Sequence, residues 1–199
     1  RRDQFIGELQ ELGSSKKSAE TEVNHSIDTI VYYAGWADKY QQVFSSVNPV
    51  ASSHFNFSLY EPMGVIALVA PEDSALLGLV QALMPILTGG NTCTILASES
   101  KALCAMSFAE VLHSSDVPAG VVNILTGSRA DLLEHMSTHM DVNALVVHDL
   151  KKKEFKEVEI WSCTNLKRLI TRNSKDFELS PHPILETQEL KTTWHPIGT

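Results

Sequence analysis

Apolar residues along this chain change rhythm near residue 64, and the change divides it into two kinds of structure. Before that point the period is helical. Phe5, Leu9 and Leu12 fall on one stripe and predict a short amphipathic helix over 1–12, broken by Gly13-Ser14-Ser15. A longer helix is expected over 18–43. Ile27, Ile30, Val31, Ala34 and Ala37 recur at helical spacing there, and Tyr33, Trp36 and Tyr40 form an aromatic stripe read as core packing. Residues 44–61 then alternate (His54, Phe55, Asn56, Phe57, Ser58, Leu59, Tyr60), which predicts a strand in an exposed hairpin or arm.

From Gly64 onward, short apolar runs alternate with helical segments. Strands are expected at 65–69, 92–97, 121–125 and 144–147, and helices at 74–87, 101–113 and 129–138. The segment 74–87 is apolar nearly all round, so it is buried, and Pro85 should kink or end it. Strands apolar on both faces and separated by helices predict an α/β fold, a doubly wound, Rossmann-like parallel sheet covered on both sides. Its crossovers should be right-handed. Such sheets bind ligands at the carboxyl ends of their strands. Those ends are Ala70-Pro71-Glu72-Asp73, Ala97-Ser98-Glu99, Thr126-Gly127-Ser128 and His148-Asp149-Leu150. After residue 150 the pattern weakens. Lys151-Lys152-Lys153-Glu154 opens a helix to about Trp161, whose charges read as a solvated face, with a phosphate-binding lysine patch as the alternative. A strand is expected at 166–171 and a polar loop over 172–187 with Pro181 and Pro183. A last strand should cover 189–197, with Pro196 near its end or on an edge.

Composition narrows the functions. The 199 residues are 43% hydrophobic, enough for one ordinary core or a domain with an appendage. The net charge of −8 argues against nucleic acid or an anionic membrane as partner, since both need clustered positive charge. The longest apolar run, Val65 to Ala70, is far short of the about 20 residues of a membrane span. Cys93, Cys104 and Cys163 are odd in number and lack C-x-x-C spacing, which fits a reducing, cytoplasmic compartment. His135 and His139 have the i, i+4 spacing of a metal pair, but no third ligand is evident and solvated helix histidines are the better reading. No metal is expected. The chain begins at Arg1 without an apolar signal segment, which reads as a piece of a longer protein.

Several motifs, in order along the chain, resemble those of one family. Tyr32-Tyr33-Ala34-Gly35-Trp36-Ala37-Asp38-Lys39 is similar to the Y-Y-A-G-W-A-D-K helix of the aldehyde dehydrogenases. Glu61-Pro62-Met63-Gly64-Val65 resembles their E-P-x-G-V approach to the first Rossmann strand, and Gly90-Asn91-Thr92 the start of G-N-T-V-V-L-K-P-S-E. Residues 117–127 are similar to L-P-P-G-V-V-N-V-V-T-G. Asn165-Leu166-Lys167-Arg168 resembles the N-L-K run before L-E-L-G-G, and Lys191-Thr192-Thr193-Trp194 the terminal oligomerisation strand. The resemblance implies N-terminal helices over 1–43, oligomerisation-arm strands at 44–61 and 187–199, and a Rossmann-like domain over 62–172. It also implies that the linker 173–186 replaces the family's catalytic domain, which carries the nucleophilic cysteine. Such an architecture is similar to the degenerate second module of a family member with two dehydrogenase-like modules in tandem.

The resemblance also assigns chemistry position by position. Aldehyde oxidation needs a thiolate, a base, donors to the oxyanion and a placed nicotinamide. The oxyanion Asn of P-W-N-F-P falls on Asp73, which accepts hydrogen bonds but, ionised, donates none. The ribose-binding Lys falls on Leu96, and the ribose-binding Glu is kept as Glu99. The phosphate-binding glycine of F-T-G-S falls on Asp149 and the general-base Glu on Arg172. None of the three cysteines matches the nucleophile motif, so no catalytic residue is expected. Any nucleotide site left would rest on Pro71, Glu99 and Gly127, the vestige of the family's cofactor crevice.

Three functions follow. The first is a non-catalytic module for assembly or protein interaction, docked on a preceding dehydrogenase module of the same protein or on a second copy, with no cofactor. The second is one part of an NAD-dependent aldehyde dehydrogenase whose chemistry lies on the preceding module. The third is a nucleotide-binding regulatory module, holding NAD through Glu99 and the lysines at 151–153, although Glu99 alone also reads as a helix-start residue favoured by the macrodipole.

Overall fold

A computed structural model describes residues 1–198. The N-terminal segment forms α1 (Arg2–Glu11), α2 (Lys16–Ala34) and α3 (Tyr40–Phe44). The single helix expected over 18–43 is therefore two, because the chain leaves α2 at Gly35 and turns through Trp36 before resuming. The buried stripe of α2 also differs from the expected one. It runs through Ala19, Val23, Ser26, Thr29 and Tyr33, while Ile27 and Val31 face outward. Ser26 and Thr29 can be buried because their hydroxyls donate to the carbonyls of Glu22 and His25, each at 2.8 Å. The larger apolar residues gave the wrong face because backbone-bonded hydroxyls had no apolar signal.

The central sheet has five parallel strands: β3 (Val65–Val69), β4 (Thr92–Leu96), β5 (Val122–Leu125), β6 (Ala144–His148) and β7 (Arg168–Arg172), in the order β5-β4-β3-β6-β7. Four helices link or follow them: α4 (Leu77–Thr88), α5 (Leu103–His113), α6 (Arg129–Thr138) and α7 (Lys152–Ser162). Side chains alternate between two cores, as the pleat requires. Ile66, Leu68, Ile95, Ala144 and Val146 pack on the side of α1, α2, α4 and α5. Ala67, Val69, Leu96, Leu145 and Val147 pack on the side of α6 and α7. From β3 the chain winds outward through β4 and β5, then returns to place β6 on the other side of β3. The strand order reverses between β3 and β6, and their carboxyl ends frame the crevice where such folds take ligands.

Pro85 does not end α4, which runs on to Thr88. The strand at β7 pairs with β6 from Ala144–Arg168 to His148–Arg172 and extends the sheet. The polar segment expected as one loop contains a 3₁₀ turn at Ser174–Asp176 and the short helix α8 (His182–Glu186). Its prolines occupy the helix start, where a missing N–H costs nothing, and Ile184 anchors it, fully buried. The arm is a separate antiparallel sheet, β1 (Ser46–Asn48), β2 (His54–Pro62) and β8 (Gln188–Pro196), in the order β1-β2-β8. β2 and β8 pair within the chain along their whole length, from His54–Pro196 to Pro62–Gln188.

Candidate functional site

The crevice between β3 and β6 is rimmed by the loops that leave four parallel strands. Glu72, after β3, reaches across to the loop after β4. Its carboxylate accepts the Ser98 hydroxyl at 2.7 Å, the Glu99 N–H at 3.1 Å, and the Ser100 N–H and hydroxyl at 3.5 and 3.3 Å. Partial burial pushes its pKa up, but these hydrogen bonds and the Arg129 charge outweigh it, and the group sits below the ordinary carboxylate value. Glu99 in turn accepts the backbone N–H of Arg129 at 3.2 Å, the first residue of α6. Glu154 accepts the Lys151 N–H at 2.8 Å at the start of α7. At both helix N-termini, positions that favour anions, a carboxylate of this chain is already in place.

Asp149 follows β6 with a left-handed backbone, φ 55°, the conformation that ordinarily selects glycine. Its Oδ1 accepts the Ser174 N–H at 2.9 Å and faces the Ser174 hydroxyl at 3.1 Å. That hydroxyl also lies 2.9 Å from Asp73 Oδ2, so its single hydrogen serves one carboxylate at a time. Lys101 Nζ donates to the Asp73 carbonyl at 2.6 Å. Arg172, at the end of β7, forms an ion pair with Glu186 of α8.

The three residues expected to hold a nucleotide come together only in part. Glu99 and Gly127 lie at the start of α6, where a Cβ on Gly127 would come within 2.9 Å of Leu132 Cδ1. Pro71 instead packs under α4, 2.5 Å from the place a Cβ would take on Gly78. The residue joining these strand ends is Arg129, which sequence reasoning missed. Its Nη2 donates to the Ala70 carbonyl at 3.4 Å and the His148 carbonyl at 3.1 Å, across the gap between β3 and β6. Its Nε is buried with no partner among the described residues. A lone arginine directly after the strand-ending Thr126-Gly127-Ser128 was the available signal.

The other candidates are placed plainly. Cys93 is buried in β4, where burial pushes its thiol well up. Cys104 is buried in α5 and is pushed up to about 12 by burial and by Glu8 and Glu22. Neither is a ready thiolate. Cys163 is exposed just past the end of α7. His139 is the residue that ends α6, and its Nδ1 accepts the Asp141 N–H at 3.3 Å. Among the described residues no three metal-ligating side chains gather, and no helix is long and apolar enough to cross a membrane.

Residues 1–148 match the aldehyde dehydrogenase family. The chain belongs to that family. It is 31% identical over 141 residues to omega-crystallin of Enteroctopus dofleini, covering 70% of this chain and 28% of that one. To hydroxyisobutyraldehyde dehydrogenase of Mycolicibacterium austroafricanum it is 36% identical over 114 residues, covering 57% and 22%. The crystal structure of PnpE from Pseudomonas sp. WBC-3 superposes with a TM-score of 0.78 at 26% identity, over 85% of this chain and 35% of that one. PnpE has also been crystallised in complex with nicotinamide adenine dinucleotide. This chain of the aldehyde dehydrogenase family spans 22% to 35% of the length of these relatives. The family match ends at His148, so α7, β7, α8 and β8 lie beyond it.

Proposed function

We propose that this chain is a non-catalytic aldehyde dehydrogenase-like module that serves assembly or protein interaction within a larger two-module protein, similar to the second module of aldehyde dehydrogenase 16 family member A1. One observation carries the reading: the anion-binding devices of the crevice are filled by the chain's own carboxylates. Glu72 takes the amides after β4, Glu99 the first amide of α6, Glu154 the Lys151 N–H just before α7 and Asp149 the amide of Ser174. A pyrophosphate would have to displace these groups and then meet their charge. The positions that the family resemblance gives to catalysis are also spent, Asp73 on Ser174 and Arg172 on Glu186. The linker 173–186 stands in place of a catalytic domain, and no cofactor is required.

The arm supports the assembly half of the proposal. Val47, Leu190 and Trp194 are each more than half exposed, and β8 ends its sheet with an edge that pairs with no strand among the described residues. Its partners would be a preceding dehydrogenase module of the same protein, a second copy, or another protein in the cytoplasm. The rival reading is an NAD-dependent aldehyde dehydrogenase with its chemistry on the preceding module. The family membership favours it, and PnpE binds the dinucleotide. A regulatory nucleotide site at Pro71, Glu99 and Gly127 is the third.

Calorimetric titration with NAD, NADP and ATP separates the first reading from the third. The expected outcome is no saturable heat up to millimolar ligand. Saturation at tens of micromolar would overturn the first reading, and loss of that binding in Glu99→Ala would favour the third.

A further inference from the structure

A cleft of about 360 Å³ opens on the α4 side of the sheet, between α4, the ends of β6 and β7, and the segment 173–178. Its floor is apolar, built by Leu77, Ala82, Ile86, Val146 and Ile170. Its charged groups are the carboxylates of Asp73, Asp176, Glu178 and Glu186 and one guanidinium, Arg172, which is spent on Glu186. No lysine lines it.

Two further groups fix its chemistry. His148 is only 8% exposed and lines the cleft. Its Nδ1 is 3.0 Å from the Val69 carbonyl, which can only accept, so the ring hydrogen is on Nδ1. Burial lowers the pKa of this imidazole and keeps it neutral. Its Nε2 is therefore a lone-pair acceptor, and no partner for it exists among the described residues. On α4, Pro85 has no N–H to return to the Gln81 carbonyl, and both residues line the cleft.

We infer that this cleft binds a small protonated amine with an apolar body, the ammonium facing His148 Nε2 and the acidic mouth and the body lying on the α4 floor. An ammonium offers donors alone, which suits a cleft rich in acceptors and carboxylates. An anion of equal size would meet the same carboxylates unpaired. The inference does not rest on the crevice being closed to dinucleotides.

Phenethylammonium and 3-phenylpropionate, similar in body and opposite in charge, provide the test. Each is titrated into ¹⁵N-labelled protein while amide and histidine-ring signals are followed. The amine should saturate, with shifts at His148 Nε2, Gln81 and 173–178, and the carboxylate should not. Asp73→Asn keeps an oxygen for Ser174, and Glu178→Gln is an exposed change, so both variants should fold. Together they should weaken the amine at least tenfold. The inference is overturned if the two probes bind alike, if the amine does not saturate, if its shifts map elsewhere, or if the double variant binds unchanged. A positive NAD titration would overturn the non-catalytic proposal and leave this inference standing.

Discussion

At the carboxyl end of β3, the Glu72 side chain does for this chain what a bound anion does in other α/β sheets. It gathers two hydroxyls and two backbone amides from the loop after β4. Hydrogen bonds to a charged acceptor are worth about 1.5–3 kcal/mol. Glu72→Gln, which keeps the shape and loses the charge, should cost about 1–2 kcal/mol in urea unfolding. If stability were unchanged, the carboxylate would be a solvated surface group. Leu166 presents the opposite case. It is 94% exposed with φ 55°, so its side chain contributes no packing while its backbone is strained. A left-handed backbone costs a β-carbon residue about 1–2 kcal/mol, and glycine's extra freedom when unfolded returns about half of that. Leu166→Gly is expected to raise stability by about 0.5–1 kcal/mol, read as a higher urea midpoint at constant slope.

Between elements, the junction of arm and parallel sheet depends on Asn91. The Gly64 N–H donates to its Oδ1 at 3.0 Å, and its Nδ2 donates to the carbonyls of Thr187 at 3.0 Å and Ile86 at 3.3 Å. Asn91 is 1% exposed, so water cannot replace these bonds. Gln188 Nε2 and Arg168 Nη1 add bonds to the Gly89 and Gln188 carbonyls, both at 2.7 Å. Asn91→Ala would leave the Gly64 N–H unpaired, at about 1–3 kcal/mol, while the Thr187 and Ile86 carbonyls keep the N–H groups of Met63 and of residue 91 itself. Amide exchange along 188–196 should quicken more than exchange in β3, because β8 loses one of its ties to the sheet while those of Gln188 and Arg168 remain. Uniform quickening would mean that the arm and the parallel sheet open as one unit. The motif Gly90-Asn91-Thr92 was visible in the sequence, but its partner at Thr187 lies 96 residues away, and nothing local linked them.

For the whole molecule, pH and association are the accessible tests. His148 and Glu72 are both held below their ordinary values of 6.5 and 4.5. The unfolded chain therefore takes up more protons than the folded one as pH falls. The stability these two groups contribute should be full above about 6.5, decline as pH drops through that value, and decline again below 4.5. A flat midpoint from pH 7 to 5 would show that His148 charges freely in the folded state. Leu190→Lys and Trp194→Lys place charge on the exposed apolar part of β8. If the arm assembles modules, these variants should lower the mass seen by light scattering while the circular dichroism of the folded subunit stays unchanged.

The sequence alone determined the parallel α/β sheet, its strand ends and the family, because apolar runs and loop motifs are local properties. It also marked Asp73, Asp149 and Arg172 as departures from the family's pattern, since a changed residue type is readable without coordinates. Tertiary structure decided the rest. It put Ser26 and Thr29 on the buried face of α2, joined β7 to the sheet, and set Arg129 between two strand ends. It also turned Glu72, Glu99 and Glu154 from scattered acids into occupants of the crevice rim. For Arg129, Glu72 and Glu99 the physical reason is the same. A hydrogen bond or an ion pair depends on distance, and residues remote in the chain become neighbours only when the sheet brings its strand ends together.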